Sequence, residues 1–438
     1  SLSLISCSDD DDGPGQTPEG SDTFEIIADS PDHETLEQAL RDTGLDETLN
    51  DGVYTVFAPT DEAFNNVDLS GLSNDQLTNI LLNHVLAGET FFQAPAGSTQ
   101  TTFSTGFLDN LSTGDNFKVH LNIEGDLLLN GKSKVTVPDE LNANNGVVHV
   151  VNEVILPLTS TFDVIAESPN HNTLEQALVD TGLDQVLNSG DFTIFAPTDA
   201  AFNEVDLSGL SDTQLTNVLL NHVLTGTILS TDLSTTYVKT NATEMITGDA
   251  NPLDLYINLD DGVTLNGAAT VTTPDVIGNN GVVHVTDAVI PMPDITTFAT
   301  ADPTFENLAA ALTRDDQPDF VDVLSTPNGT DPAPFTVFAP TNDAFANLLS
   351  NQGFDSLADV PQDLLESTLN SHVVAGVNVR AADLTNGPVQ TLGAELMVNA
   401  SDATLTDPNG RVSNIIVTDV QTTNGVIHAI DTVVLPQL

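Results

Sequence analysis

The chain repeats itself, and that fact constrains its folding more than any other. Thr35-Leu-Glu-Gln-Ala-Leu40 recurs as Thr173-Leu-Glu-Gln-Ala-Leu178, and Val67-Asp-Leu-Ser-Gly-Leu-Ser73 recurs as Val205 to Ser211. A third, more diverged copy is anchored by three blocks. The first is Thr55-Val-Phe-Ala-Pro-Thr-Asp-Glu-Ala-Phe64, with Thr193 to Phe202 and Thr336 to Phe345. The second is Asn83-His-Val-Leu86, Asn221-His-Val-Leu224 and Ser371-His-Val-Val374. The third is Asn145-Gly-Val-Val-His149, Asn280-Gly-Val-Val-His284 and Asn424-Gly-Val-Ile-His428. The units run 22–158, 159–293 and 294–438. Each is long enough to bury its own core, unlike a thin solenoid repeat that needs its neighbours. The linkers Leu158-Thr-Ser160 and Met292-Pro-Asp294 are short. They predict a semi-rigid rod rather than freely tumbling beads.

Each block carries local structure. Thr55-Val-Phe-Ala alternates as a strand, and Pro59 stops it. Thr60 is an N-cap, followed by Asp61 and Glu62 where the helix dipole favours acid. Ser73 with Gln76, and Ser211 with Gln214, are capping boxes. They open a helix with Leu77, Ile80, Leu81 and His84 on one face. Gly88 and Gly226 are expected at the C-terminal turn of that helix, and Pro361 opens its third copy. Leu127-Leu-Leu-Asn-Gly131 and Val263-Thr-Leu-Asn-Gly267 read as strands entering Asn-Gly hairpin turns. Val147 to Val151 is rich in β-branched residues and reads as a strand. Helices dominate early in each unit and strands late, an α+β layout.

Composition bounds the partners. Against 64 acidic residues stand 8 basic ones, for a net charge of −56. Such a field repels nucleic acid and anionic lipid headgroups. Disorder is excluded, because 39% of the residues are hydrophobic and can offset the entropy of ordering. At seawater-like ionic strength the Debye length is only about 4 Å, so a surface of this kind suits a salty exterior.

The single cysteine, Cys7, rules out an intramolecular disulfide. No apolar run is long enough for a transmembrane helix. Leu4-Ile-Ser-Cys7 resembles the end of a bacterial lipoprotein signal peptide, in which the Cys becomes the acylated N-terminus. Asp9 to Asp12 resemble the surface-export signal of Bacteroidetes-type lipoproteins. Residues 1–21 therefore read as signal remnant, acyl-Cys and flexible acidic tether. Membrane contact is expected only through Cys7, on an outer membrane facing outward.

The ordered blocks, Phe-Ala-Pro-Thr-(Asp/Asn)-x-Ala-Phe, a central helix ending in His-Val, and Asn-Gly-Val-(Val/Ile)-His, resemble the fasciclin-type adhesion domain. The resemblance covers nearly the whole chain after Gly20. It implies three tandem domains, each a β-sandwich-like wedge with helices on one side. It also implies adhesion or matrix contact at a cell surface. Family members often carry Tyr before the central His, a pair linked to adhesion. Asn83, Asn221 or Ser371 stands there instead, which puts integrin binding in doubt.

His84, His222 and His372 lie on an apolar helix face, and His149, His284 and His428 in apolar strands. They are structural or adhesion-motif candidates. The blander expectation is a buried neutral His bonded to backbone; the sharper one is a metal or haem pair. No metal-ligand spacing occurs and no Cys is at hand, so no cofactor is expected. Asp260-Asp261-Gly262 and Asp315-Asp316 offer carboxylates without an EF-hand pattern, so diffuse, weak divalent screening of the acidic surface is expected rather than specific sites. No nucleophile elbow or phosphate loop is present, and an enzyme is not expected. Two functions remain: a lipid-anchored adhesion protein with a surface protein or glycan ligand, or an accessory subunit of a larger outer-membrane or extracellular protein complex. The polar, Pro-rich insert from Arg314 to Pro334 is expected to form a distinct contact surface.

Overall fold

A computed structural model describes residues 20–69, 71–91, 101–102, 106–111, 118–122, 127–130 and 132–437. Cys7 and the aspartates after it lie outside the described residues. Each repeat builds one seven-stranded sheet. In the third the spatial order is Val373–Ala375, Phe335–Pro340, Gly425–Ile430, Val412–Gln421, Thr404–Thr406, Glu395–Asn399 and Gly387–Gln390. The opening strand Phe335–Pro340 and the closing strand Gly425–Ile430 run parallel, with Phe338 beside His428. The other neighbours in that sheet are antiparallel. A parallel pair needs a long crossover, and here the helices and outer hairpins supply it.

The opening strand is buried on both faces, and apart from its buried Thr (Thr55, Thr193 or Thr336) its interior is apolar. In the first repeat Val56 and Ala58 join Leu36, Leu40, Leu49, Phe64 and Leu81 in a core under the helices. Phe57 points the other way, against Val119, Leu121, Leu129, Val151 and Ile155. The two-residue period of a strand does this sorting. Phe195 and Phe338 occupy the same place in the other repeats. Each such ring contributes about 1.5–3 kcal/mol by burial.

The fold is α+β, with a β-sandwich-like wedge drawn from a single mixed sheet. The long strand joins its two halves. In the third repeat Val412–Gln421 shifts register twice against the closing strand, and Asp419 takes φ +61. Asp275 does the same in the second, at φ +60. Such bulges bend a strand and let one ladder serve two layers.

Several local expectations are met atom for atom. Thr60 Oγ1 accepts from the Ala63 amide. Ser73 with Gln76, and Ser211 with Gln214, form both halves of their capping boxes. Asn266 and Gly267 take φ +49 and +64 in the turn after Thr264–Leu265. The Gly of Asn-Gly-Val has a steric cause: a Cβ at Gly146 would lie 1.9 Å from the Tyr54 carbonyl oxygen, and one at Gly281 1.9 Å from that of Phe192. The parallel ladder pairs Tyr54 with Gly146 and leaves no room for a side chain.

One expectation changes. Gly88 and Gly226 do not end the central helix, which stops at Leu82 with Asn83 as C-cap, and at Leu220 with Asn221. They follow the short strands Val85–Ala87 and Val223–Thr225 instead, because His-Val continues into a strand beside the opening one. The insert from Arg314 to Pro334 is partly folded. It contains a helix, Phe320–Leu324, whose end residues enter the core. Arg314 ties it down through the carbonyls of Leu357 and Val360, each at 2.8 Å.

The three seven-stranded sheets group into two compact units. One comprises residues to Ser160 with Val276–Asn280, the other Thr161–Asp275 with Gly281–Leu438. The second unit thus contains both later sheets, and their junction is described below.

Candidate functional site

The six repeated histidines are 0–3% exposed. Those of the central helix share one geometry. His84 Nδ1 faces the Ile80 carbonyl at 2.8 Å, and His84 Nε2 accepts from the Ile155 amide at 2.8 Å. His222 does the same with Val218 and Ile290, and His372 with Thr368 and Val434. Because Nε2 accepts an N–H, it carries no proton. Nδ1 must therefore hold the hydrogen and donate it to the last helical turn. Burial pushes each of these imidazoles down to about 4, so each is neutral near pH 7.

The strand histidines adopt the opposite tautomer where both bonds are seen. His284 Nδ1 accepts from the Asp275 amide at 3.1 Å and Nε2 donates to the Ile228 carbonyl at 3.0 Å. His428 pairs likewise with Asp419 and Val379. His149 Nε2 lies 3.0 Å from the Thr90 carbonyl. Burial lowers both His284 and His428. The His284 and His428 rings each pin the bulged strand to the connection following the short strand.

The residue before the central His is also interior. Asn83, 0% exposed, donates through Nδ2 to the Ile155 carbonyl at 2.8 Å, so Asn83 and His84 together hold both polar groups of Ile155. In the third repeat Ser371 Oγ accepts from the Ala394 amide instead. A side chain buried in this way has no free face for a partner. Its role is to hold the shape of the surface above it.

The described residues contain no cluster of His, Cys, Asp and Glu fit to hold a metal ion. The Asp316 carboxylate is taken by Arg314 Nε at 2.6 Å. No helix among the described residues is long and apolar enough to cross a membrane.

The most elaborate polar constellation joins the second and third repeats, and no motif announced it. Lys239 Nζ lies 2.5 Å from Asp254 Oδ2 and donates to the Asp419 carbonyl at 2.9 Å. Asp254, 3% exposed, also accepts from the Gln421 amide at 2.6 Å. Burial pushes its carboxyl up, against the pull of Lys239. Beside it Tyr237 Oη donates to Asp302 at 2.8 Å, and its ring meets Phe298 edge-on at 5.2 Å. Tyr256 joins the apolar core of the third repeat. One sheet face of repeat two thus docks on the first helix, Ile295–Ala301, and the bulged strand of repeat three. The Tyr237–Tyr256 and Lys239–Asp254 cross-strand pairs of one hairpin supply the four side chains of this face.

Comparison with known proteins agrees with the repeats. The Fasciclin domain matches residues 31–157, 169–293 and 303–436. Transforming growth factor-beta-induced protein ig-h3 of Sus scrofa is 26% identical over 426 residues, covering 94% of this chain and 57% of that protein. Periostin of Homo sapiens is 24% identical, covering 90% and 44%. Fasciclin-1 of Schistocerca americana is 22% identical, covering 88% and 63%. The chain therefore spans roughly half the length of these relatives. They are distant homologues of adhesion and matrix type, and the family is not enzymatic. With three domain matches over most of its length, the chain belongs to the fasciclin-domain family.

Proposed function

We propose that this protein is a non-enzymatic adhesion or matrix-contact protein of a cell surface, held to an outer membrane by lipid on Cys7. The observation carrying this reading is that the histidines repeated in all three units are used to hold the fold. The six histidines bond backbone groups, and the described residues contain no cluster fit to hold a metal ion. What three rigid domains offer a partner is then surface. The sequence Leu4-Ile-Ser-Cys7 supports the anchor, and two or more acyl chains would hold firmly at about 0.8 kcal/mol per buried CH₂. The ligand class is a surface protein or glycan, and an acidic exterior of this strength excludes nucleic acid.

The test has two arms. Cys7→Ala expressed in a lipoprotein-processing host should move the protein from membrane to medium, and retention in the membrane would overturn the anchor. The purified chain coated on beads should capture cells or matrix in a manner that tolerates His84→Gln. Beads indistinguishable from uncoated ones would overturn the adhesive role.

A further inference from the structure

The second and third repeats can be superposed by strand register alone. Ile257 pairs with Leu265 as Val398 pairs with Leu405. On that register Tyr237–Tyr256 corresponds to Pro388–Met397, and Lys239–Asp254 to Gln390–Glu395. In repeat two these four positions form the face that docks on the next repeat. In repeat three the same four positions face solvent. Tyr256 is 4% exposed, whereas Met397 is 50% exposed. Val412, 53% exposed, lies across Thr406 from Met397 and widens the apolar strip.

The surface that would fill it is also present in the chain. The first helix of repeat one, Thr23–Ala28, corresponds to Ile295–Ala301. Asn145 Oδ1 accepts from the Thr23 amide as Asn424 Oδ1 accepts from that of Ile295. The C-cap of the helix in repeat three, Asp302, is 6% exposed against Tyr237, but its counterpart Asp29 is exposed. Asn142 pairs with Val147 as Gln421 pairs with Val426. Gln421 is 0% exposed, and Asn142 is exposed.

We propose that the exposed face of repeat three, around Met397, Gln390 and Glu395, docks on the first helix and bulged strand of repeat one in a second copy of this chain. Gln390 keeps a donor where Lys239 stands, and Glu395 keeps a carboxylate where Asp254 accepts a backbone N–H. The contact joins two different surfaces, so it is head-to-tail and open, adding copies in line rather than closing a dimer. Each copy carries −56, so repulsion opposes docking until salt screens it.

The experiment is sedimentation velocity on the full chain produced without acylation, under reducing conditions that keep Cys7 from forming a disulfide between copies. Salt is raised from about 0.05 M to about 1 M. Monomer at low salt and a concentration-dependent series of oligomers at high salt is the expected result. Met397→Glu, at a half-exposed position, should weaken association by at least about tenfold. Asn142→Glu sets a carboxylate against Glu395 and should do the same, while Asn142→Lys should tighten it. Mixing Met397→Glu with Asn142→Glu should restore a one-to-one pair, since one intact tail then meets one intact head. A monomer at all salts, oligomers indifferent to both substitutions, or failure of the mixture to pair would each overturn the proposal.

Discussion

The Ile155 amide donates to His84 Nε2 across 2.8 Å, although 71 residues separate the two in sequence. The bond fixes the end of the central helix to the segment that leaves the closing strand. The same bond recurs at His222 with Ile290 and at His372 with Val434. A neutral ring is required at all three, because only an unprotonated Nε2 can accept.

Acid should therefore unfold the protein through these rings. Their folded pKa of about 4 lies below the usual 6.5, so the unfolded chain binds more protons between those values. Stability is full above pH 6.5 and falls as pH drops toward 4. Each ring costs on the order of 3 kcal/mol once both states are protonated. Urea midpoints measured from pH 7 to pH 4 should fall, and a flat profile would contradict the buried neutral assignment.

Replacing His84 by Ala should cost about 2–4 kcal/mol. The change opens a cavity and leaves the Ile155 amide without an acceptor in the interior. Chemical denaturation of the variant should show the loss, with repeats two and three unaffected.

Gly281→Ala should be among the most damaging single substitutions in the chain. The added methyl would meet the Phe192 carbonyl at 1.9 Å, at a φ of +142 that L residues rarely adopt. A loss of at least about 3 kcal/mol is expected. Gly182→Ala is the control. It shares a positive φ but meets nothing within 4 Å, so its cost should be near 1 kcal/mol. Thermal melts of the two variants should separate them.

Lys239→Met should loosen the junction between repeats two and three. Asp254 would keep its Gln421 amide but lose its cation while buried. The cost should be about 1–3 kcal/mol, below the range for a fully buried pair because Lys239 is 44% exposed. Calorimetry should show one transition for these repeats in the parent chain and two in the variant.

Salt should stabilise the whole chain. With 64 acidic residues against 8 basic ones, self-repulsion destabilises the compact state. Raising ionic strength from dilute buffer to about 1 M should raise Tm by about 3 °C or more, equivalent to ~1 kcal/mol. A Tm independent of salt would show that the charges are spaced too widely to interact.

Sequence alone determined what is local or periodic. The three blocks set the number of sheets. The short run Thr55-Val-Phe-Ala, closed by Pro59, set the opening strand, and Thr60, Ser73 and Ser211 set helix starts, because a cap bonds within three residues of itself. The same local logic puts Gly88 at a helix end, where the structure has it after a strand. Its position depends on a strand that exists only because Val85 finds Val56 across the sheet. Tertiary structure decided the rest. The tautomers of His84 and His284 follow from partners 71 and 9 residues away. The docking face of repeat two was invisible, because Asp254 becomes a buried acceptor only when Gln421, 167 residues on, reaches it. Periodicity reports which side of an element is apolar. It says nothing of which polar groups meet after folding, and those long-range meetings hold the second and third repeats together.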